Sequence, residues 1–310
     1  MAIQEVAVQR SIRMPRKRIT RRVVFDQIGS FLFVVPFLIA FILFIGYPIV
    51  YGIYISLNHW NPIVGSMGWA GLGQYADLFN MQTLAAQQFW DGLKNTSIFV
   101  VISVPLLVLI PLILAFILYR SPLKNLFRPI FFFPSVLSAT AVTSVWTWLL
   151  QTQGGGINNL LGLNIPWLVE QPWAWISIDM ATIWWSMGFN LVIIYAGLTQ
   201  LPASTLEAAA IDGARSMRMF VSIVIPQLRH VIAFVVVTST IASFNLFAQS
   251  LLMTGGGPGS STESLSMYIY NQGFNAMHMG SASAMSYLMG LVLAIVSFVQ
   301  YRLTREGNEG

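Results

Sequence analysis

The sequence predicts an all-α, polytopic membrane protein with six transmembrane helices. Only 9% of its 310 residues are charged, whereas soluble domains have about 25% charged residues. The mean hydropathy is +0.69. Six apolar runs each have about 20 residues or more, the length that a bilayer core about 30 Å thick requires. These observations exclude an ordinary soluble enzyme.

The six runs follow one another along most of the chain. The first run, residues 31–57, is longer than the apolar core of a cleavable signal peptide, which has roughly 7–15 residues. We therefore interpret it as an uncleaved first span. The other predicted spans are residues 95–119, 129–150, 173–198, 231–253 and 282–301. Prolines in the first three spans indicate local kinks or a moving gate.

The basic residues predict the orientation of these spans. Six spans place both termini and the segment 199–230 on one side of the membrane. Fifteen of the sixteen Lys and Arg residues then lie on that side, and Lys94 is the exception. Since cytoplasmic segments are enriched in Lys and Arg, both termini are expected in the cytoplasm. The predicted organisation is a basic tail at 1–30, a six-span domain at 31–302 and a C-terminal tail at 303–310.

The side chains that commonly bind metals are scarce. The sequence has no cysteine, and His59, His230 and His278 share no close spacing, so we predict no metal site. The net charge of +5 is explained by membrane topology and does not indicate nucleic-acid binding.

The cytoplasmic segment 199–230 has an ordered pattern. Ser204 and Glu207 form a capping-box signature, and alanines follow up to a possible helix stop at Gly213. A second helical stretch is predicted from about Ser216 to Val224, and Pro226 is predicted to end it.

The spacing within this segment resembles the EAA loop of permeases from binding-protein-dependent ABC importers. Glu207-Ala208-Ala209 is followed after three residues by Gly213, and after nine more by Ile223-x-Ile225-Pro226. Ile225 departs mildly from the leucine of the family pattern. Ile211-Asp212-Gly213-Ala214 and the Thr254–Pro258 string are similar to carbohydrate-uptake permeases of the maltose and glycerol-phosphate type.

The resemblance implies a bacterial inner-membrane protein with the type I importer (MetI-like) fold, which docks on a separate ATPase. The coupling residues that it implies are Glu207, Ala208, Ala209, Asp212, Gly213, Ile223 and Pro226. The chain has no G-x-x-x-x-G-K-[ST] motif, so ATP and Mg²⁺ are assigned to partner subunits. We therefore expect a chain that is not an enzyme and binds no cofactor itself.

The same resemblance implies several partners and a substrate class. The partners are a second homologous permease, two ATPase subunits, an extracytoplasmic binding protein and membrane lipid; pairing with a second copy of this chain stays open. The implied substrate is a sugar, either an oligosaccharide or glycerol phosphate. The outer loop containing Gly256, Gly257 and Pro258 is predicted to face the binding protein, with a plain turn as the alternative.

Polar and aromatic residues in the fourth and fifth spans are candidates for the substrate pathway. Amides bind sugar hydroxyls, and flat aromatic rings contact their C–H faces. The candidates are Trp184, Trp185, Asn190, Thr238, Asn245 and Gln249. The last three share a helical stripe with Ala242. Interhelical hydrogen bonds and lipid-facing indoles are the alternative explanation.

Asp179 supports a competing function. Acidic residues within spans often relay protons in ion-coupled carriers, and Asp179 is the one acidic residue in the six runs. An ion- or proton-coupled secondary transporter is therefore the alternative, although it leaves the EAA-like spacing unexplained.

Overall fold

The computed structural model describes residues 32–202, 204–205 and 216–306. Residue contacts divide the chain into two units, with the boundary between Gly52 and Ile53. In chain order, the helices and strands are α1 (Leu32–Ser56), β1 (Asn58–Asn61), β2 (Gly65–Trp69), α2 (Gly73–Asp77), α3 (Leu84–Arg120), α4 (Lys124–Phe132), α5 (Ala139–Leu149), α6 (Gly156–Leu161), α7 (Trp173–Thr199), α8 (Met217–Gln227), α9 (Arg229–Phe244), α10 (Leu265–Tyr270) and α11 (Met279–Glu306). A 3₁₀ turn at Phe133–Val136 extends α4, and π-helical turns lie at Ser250–Thr254 and Asn271–Asn275.

The described helices agree with six membrane crossings. Helices α1, α3, α7 and most of α11 are each long and apolar enough to span a bilayer. Two further candidates are bent pairs: α4 and its 3₁₀ turn meet α5 at 99°, and α8 meets α9 at 75°. Counting each pair as one crossing gives six. The antiparallel hairpin of β1 and β2, which the sequence did not predict, is a small addition to an otherwise helical chain.

The second span begins earlier than predicted. Helix α3 starts at Leu84, not at Asn95, because the Thr83 hydroxyl accepts a hydrogen bond from the backbone N–H of Ala86 at 3.1 Å. Such a cap satisfies a donor that the first helical turn leaves without a partner. With 37 residues, α3 is about 55 Å long and exceeds the bilayer core.

The third span, in which proline predicted a local kink or a moving gate, is interrupted by a sharp bend. The helical path ends after Val136, and the Ser138 hydroxyl caps α5 by accepting from the Ala141 N–H at 3.3 Å. Pro134 lies in the 3₁₀ turn just before this bend, where it has no backbone N–H to donate.

The fifth span is interrupted at both ends, and the predicted role of Pro226 is wrong. Proline is tolerated in the first turn of a helical segment, and here the helical path continues through it to Gln227. The break occurs at Leu228 instead. At the other end, α9 stops at Phe244, nine residues before the predicted end.

The core of the second unit forms where α3, α7 and α9 pack together. Val108 and Leu112 of α3, Leu191 and Ile194 of α7, and Val235 of α9 belong to one buried hydrophobic cluster. This packing holds three helices against one another and positions the polar side chains described next.

Candidate functional site

A cavity of about 410 Å³ lies among α3, α7, α9 and the turn that follows α4. This volume falls within the roughly 300–1,000 Å³ that is typical of small-molecule sites. Aromatic, aliphatic, hydroxyl and amide side chains line the cavity, and none of the lining residues that the structure describes carries a charge. The cavity therefore combines apolar walls with several groups that can form hydrogen bonds to an uncharged small molecule.

The cavity brings together five of the six residues chosen from sequence as substrate-pathway candidates. These are Trp185, Asn190, Thr238, Asn245 and Gln249. Trp184 is not among the lining residues. Its ring packs edge-on against Trp146 with the centroids 6.1 Å apart. Consecutive residues of a helix point in different directions, so only one of the two adjacent indoles contributes to the cavity.

Asn190 connects three helices from a buried position. Its Nδ2 atom donates to the Leu107 carbonyl oxygen of α3 at 2.8 Å and to the Ser239 Oγ of α9 at 3.0 Å. Only 5% of the side chain is exposed. A buried polar group without a partner costs about 1–3 kcal/mol, so both bonds contribute to holding α7 against its neighbours.

Gln249, in the segment after α9, is hydrogen-bonded to α7. Its Nε2 atom donates to Thr182 Oγ1 at 3.1 Å, and the Thr182 hydroxyl donates in turn to the Ile178 carbonyl oxygen at 2.8 Å. The bond joins α7 to the segment beyond the end of α9.

The predicted continuous stripe in the fifth span is wrong in its geometry. Asn245 is the C-cap of α9 and its Nδ2 donates to the Ile241 carbonyl oxygen at 2.8 Å, so the helix does not run on to Gln249. Thr238, Ala242, Asn245 and Gln249 nevertheless line the same cavity. The break turns the chain without removing these side chains from the cavity wall.

Several lining residues were absent from the sequence-based set. Thr182, Ser186 and Phe189 lie on the same side of α7 as Trp185 and Asn190. Their spacing of three, four, seven and eight residues from Thr182 is that of one helical face, a signal that also separates Trp185 from Trp184. Ser135 comes from the bend after α4, and no pattern in the sequence identifies it.

Asp179 is buried but lies outside this cavity. It is 5% exposed, and its Oδ1 atom has no hydrogen-bond partner within the described part of the chain. The lining residues of the cavity do not include it.

The outer loop with Gly256, Gly257 and Pro258 is tied to α3. Asn95 Nδ2 donates to the carbonyl oxygens of Ser260 at 2.8 Å and Glu263 at 3.0 Å. The Thr262 hydroxyl donates to the Gly257 carbonyl oxygen at 2.7 Å, which closes the loop. Gly256 has φ +83°, a conformation that favours glycine.

Most of the predicted coupling residues lie outside the described residues: Glu207, Ala208, Ala209, Asp212 and Gly213. The structure describes Ile223 and Pro226, on the approach to α9.

The segment with Ile223 and Pro226 is anchored in the core. Val224 and Leu228 are buried in the cluster shared by α3 and α7. The Phe220 ring lies 4.8 Å from the ring of Phe116, between centroids. The end of the cytoplasmic segment nearest α9 is thus packed on the helices that form the cavity.

Residues 83–306 match the family described as binding-protein-dependent transport system inner membrane component. The chain belongs to this family. It is therefore a multi-pass inner-membrane permease subunit, a non-enzymatic component of its transporter. The predicted permease fold and transporter class are confirmed, and the carrier alternative based on Asp179 is not retained.

Two relatives are similar to this permease over almost their whole length. The lactose transport system permease protein LacF of Rhizobium radiobacter is 35% identical over 290 residues, which cover 90% of this chain and 95% of that protein. The sn-glycerol-3-phosphate transport system permease protein UgpA of Rhizobium meliloti (strain 1021) is 31% identical over 293 residues, covering 92% and 98%.

A solved structure supports the fold independently. A bacterial ABC transporter involved in the import of the acidic polysaccharide alginate matches with a TM-score of 0.79 at 20% identity. The match covers 92% of this permease and 98% of that chain. At this identity the likeness establishes the fold alone.

Proposed function

We propose that this permease forms one half of the membrane pathway of an ATP-driven importer for a sugar or a glycerol-phosphate-type solute. The observation that carries the proposal is the cavity, where Trp185, Asn190, Thr238, Asn245 and Gln249 converge. An indole face and several amides are the groups that bind such solutes. The names of the two relatives support the same substrate classes.

The second half of the pathway belongs to a homologous permease, and two ATPase subunits complete the membrane complex. ATP and Mg²⁺ bind to those ATPases, because this chain has no phosphate-binding loop. An extracytoplasmic binding protein delivers the solute, which agrees with the family description. The loop with Gly256, Gly257 and Pro258 contacts that protein in this proposal.

The segment containing Glu207, Ala208, Ala209, Asp212 and Gly213 docks on an ATPase subunit. Small side chains allow a helix to approach a cleft closely, and the two carboxylates offer partners for basic groups. The packing of Val224 and Leu228 against α3 and α7 supports this role, because displacement of the segment would be transmitted to helices that line the cavity.

The pathway is tested with the complete transporter in proteoliposomes. Uptake of radiolabelled lactose and of radiolabelled sn-glycerol 3-phosphate is measured with and without internal ATP, for Trp185→Leu and for the neighbouring Trp184→Leu. We expect ATP-dependent uptake of one solute, and a loss of roughly five- to tenfold in Trp185→Leu, since aromatic contacts contribute up to about 1.5 kcal/mol.

Trp184→Leu serves as the matched control because its indole packs on Trp146 and does not line the cavity. It should keep uptake within about twofold of the wild-type rate, as an interaction of a few tenths of a kcal/mol would. Uptake without ATP, or equal losses in both variants, would contradict the proposed pathway.

A further inference from the structure

The amide and indole side chains of the cavity are each bonded to the protein through at least one N–H. Both hydrogens of the Asn190 amide are used, since Nδ2 donates to Leu107 and to Ser239. The Asn245 Nδ2 donates one of its two hydrogens to the Ile241 carbonyl oxygen, and the Trp185 Nε1 donates its one hydrogen to the Leu137 carbonyl oxygen at 3.1 Å. A carbonyl oxygen accepts only from a donor, so these bonds fix which end of each asparagine amide is the nitrogen.

The orientation of Gln249 follows from its partner. The Thr182 hydroxyl has one hydrogen, and it donates that hydrogen to the Ile178 carbonyl oxygen. Thr182 Oγ1 can therefore only accept from Gln249, which must turn its Nε2 towards it. The amide oxygen of Gln249 is left without an intramolecular partner in the described part of the chain.

The cavity consequently offers only neutral groups to a ligand: amide oxygens, hydroxyls and the second N–H of Asn245 and of Gln249. The amide oxygens of Asn190, Asn245 and Gln249 have no partner among the described residues, and each of these side chains lines the cavity. Ser135 Oγ, also in the lining, has no hydrogen-bond partner within the described residues either. Lys, Arg and His are absent from the described lining.

This arrangement discriminates between two classes of solute. A sugar hydroxyl both donates and accepts, so it can bind an amide oxygen directly. An ionised phosphate or carboxylate group is an acceptor with a negative charge. In this cavity such a group would meet amide oxygens, hydroxyls and two amide N–H groups, but no cation of the described lining would compensate its lost hydration, which is costly in a region of low dielectric constant.

We infer that the cavity selects an uncharged, polyhydroxylated solute and rejects solutes that carry phosphate or carboxylate groups. The inference rests on the proposed function, because it takes this cavity as the transport pathway. It goes beyond that function by choosing between neutral saccharides and glycerol phosphate.

The first test uses the complete transporter with its own binding protein in proteoliposomes. The vesicles receive an equimolar mixture of neutral saccharides and anions: lactose, maltose and raffinose with lactobionate and sn-glycerol 3-phosphate. Mass spectrometry then identifies what accumulates inside. We expect ATP-dependent accumulation of neutral saccharides only, with at least a tenfold preference of lactose over lactobionate.

The outcomes separate the two proposals. ATP-dependent accumulation of lactobionate or sn-glycerol 3-phosphate at a rate comparable with the sugars overturns the inference and leaves the importer function intact. Accumulation that does not need ATP overturns the proposed function itself.

A second test places a charge of either sign at one position. Asn245 is exposed, so Asn245→Asp and Asn245→Lys should both fold. The matched controls are Gln151→Glu and Gln151→Lys, which place the same charges in an exposed outer loop. For a neutral solute, both Asn245 variants lose uptake by factors within threefold of each other. If uptake by Asn245→Lys is at least ten times faster than uptake by Asn245→Asp, and the two Gln151 variants show no such ratio, the solute is anionic and the inference is overturned.

Discussion

At the scale of single residues, two asparagines in the same cavity have different surroundings. Asn190 is buried and joins α7 to α3 and α9, whereas Asn245 is exposed and bonds only one turn back along its own helix. The sequence left two alternatives open for these residues: hydrogen bonds between helices, or binding of the solute. Asn190 fits the first alternative and Asn245 fits the second.

This difference gives a prediction for Asn190→Leu and Asn245→Leu. The Asn190 variant leaves the Leu107 carbonyl oxygen without its partner in a buried place, so the complex should lose about 1–3 kcal/mol of stability. The Asn245 variant should stay within about 0.5 kcal/mol of the wild type while its affinity for the transported solute falls. Thermal unfolding in detergent and uptake kinetics measure the two effects; equal loss of stability in both would contradict the assignment.

Five of the six residues chosen from the sequence line the cavity, among fifteen lining residues, and the position of the sixth has a physical explanation. Trp184 and Trp185 look equivalent by composition, but only Trp185 shares the helical face of Thr182, Phe189 and Asn190. Counting the period of α7 would have separated the two indoles. Ser135 was not predictable in this way, because a bend more than forty residues away in sequence brings it to the cavity.

At the scale of secondary-structure elements, apolar length predicted the presence of each span better than its shape. Length and hydropathy carry no information on the direction of a helix. The prolines predicted a kink in the third span and a break at Pro226, but neither the positions of the bends, at Leu137–Ser138 and at Leu228, nor their angles were predicted. Prolines gave partial signals: Pro134 lies close to a bend, whereas the helical path continues through Pro226. Tertiary packing decides which of these positions interrupts a helix.

The bend after α4 is accommodated by a glycine of α7, which gives a second prediction. A Cβ atom at Gly188 would lie 2.7 Å from the Cα atom of Phe132 and closer still to the Phe131 carbonyl oxygen. Gly188→Ala should therefore destabilise the protein by about 1–3 kcal/mol through overpacking. It should also lower uptake, because Ser135 and Trp185 both line the cavity and Trp185 is hydrogen-bonded to Leu137 at this bend.

Gly290→Ala provides the matched control within α11. No atom lies within 4 Å of a Cβ built at Gly290, and alanine is a better helix former than glycine by up to about 1 kcal/mol. This variant should unfold at the wild-type temperature or slightly above it. If Gly188→Ala also unfolds there, α7 does not pack against the bend as tightly as described.

At the scale of the whole molecule, charge distribution and hydropathy were sufficient to predict a polytopic membrane protein. Fifteen cations on one side and six apolar runs leave few alternative topologies, and the EAA-like spacing then narrowed the class to one transporter family. The outer hairpin of β1 and β2 was not predicted, because Asn58–Trp69 has no strict alternation of apolar and polar residues. For most of the coupling segment, the proposed role is supported by the sequence pattern alone.

The last prediction concerns that segment and the transmission of ATP hydrolysis to the cavity. Glu207→Arg replaces an anion by a bulky cation where docking on an ATPase subunit is proposed, so hydrolysis and uptake should become uncoupled. We expect the variant to insert into the membrane, co-purify with the second permease and retain ATPase activity, while ATP-dependent uptake in proteoliposomes falls to background. Glu170→Arg makes the same change at an exposed outer position and should transport normally. Normal uptake by a fully assembled Glu207→Arg transporter would exclude a coupling role for this carboxylate.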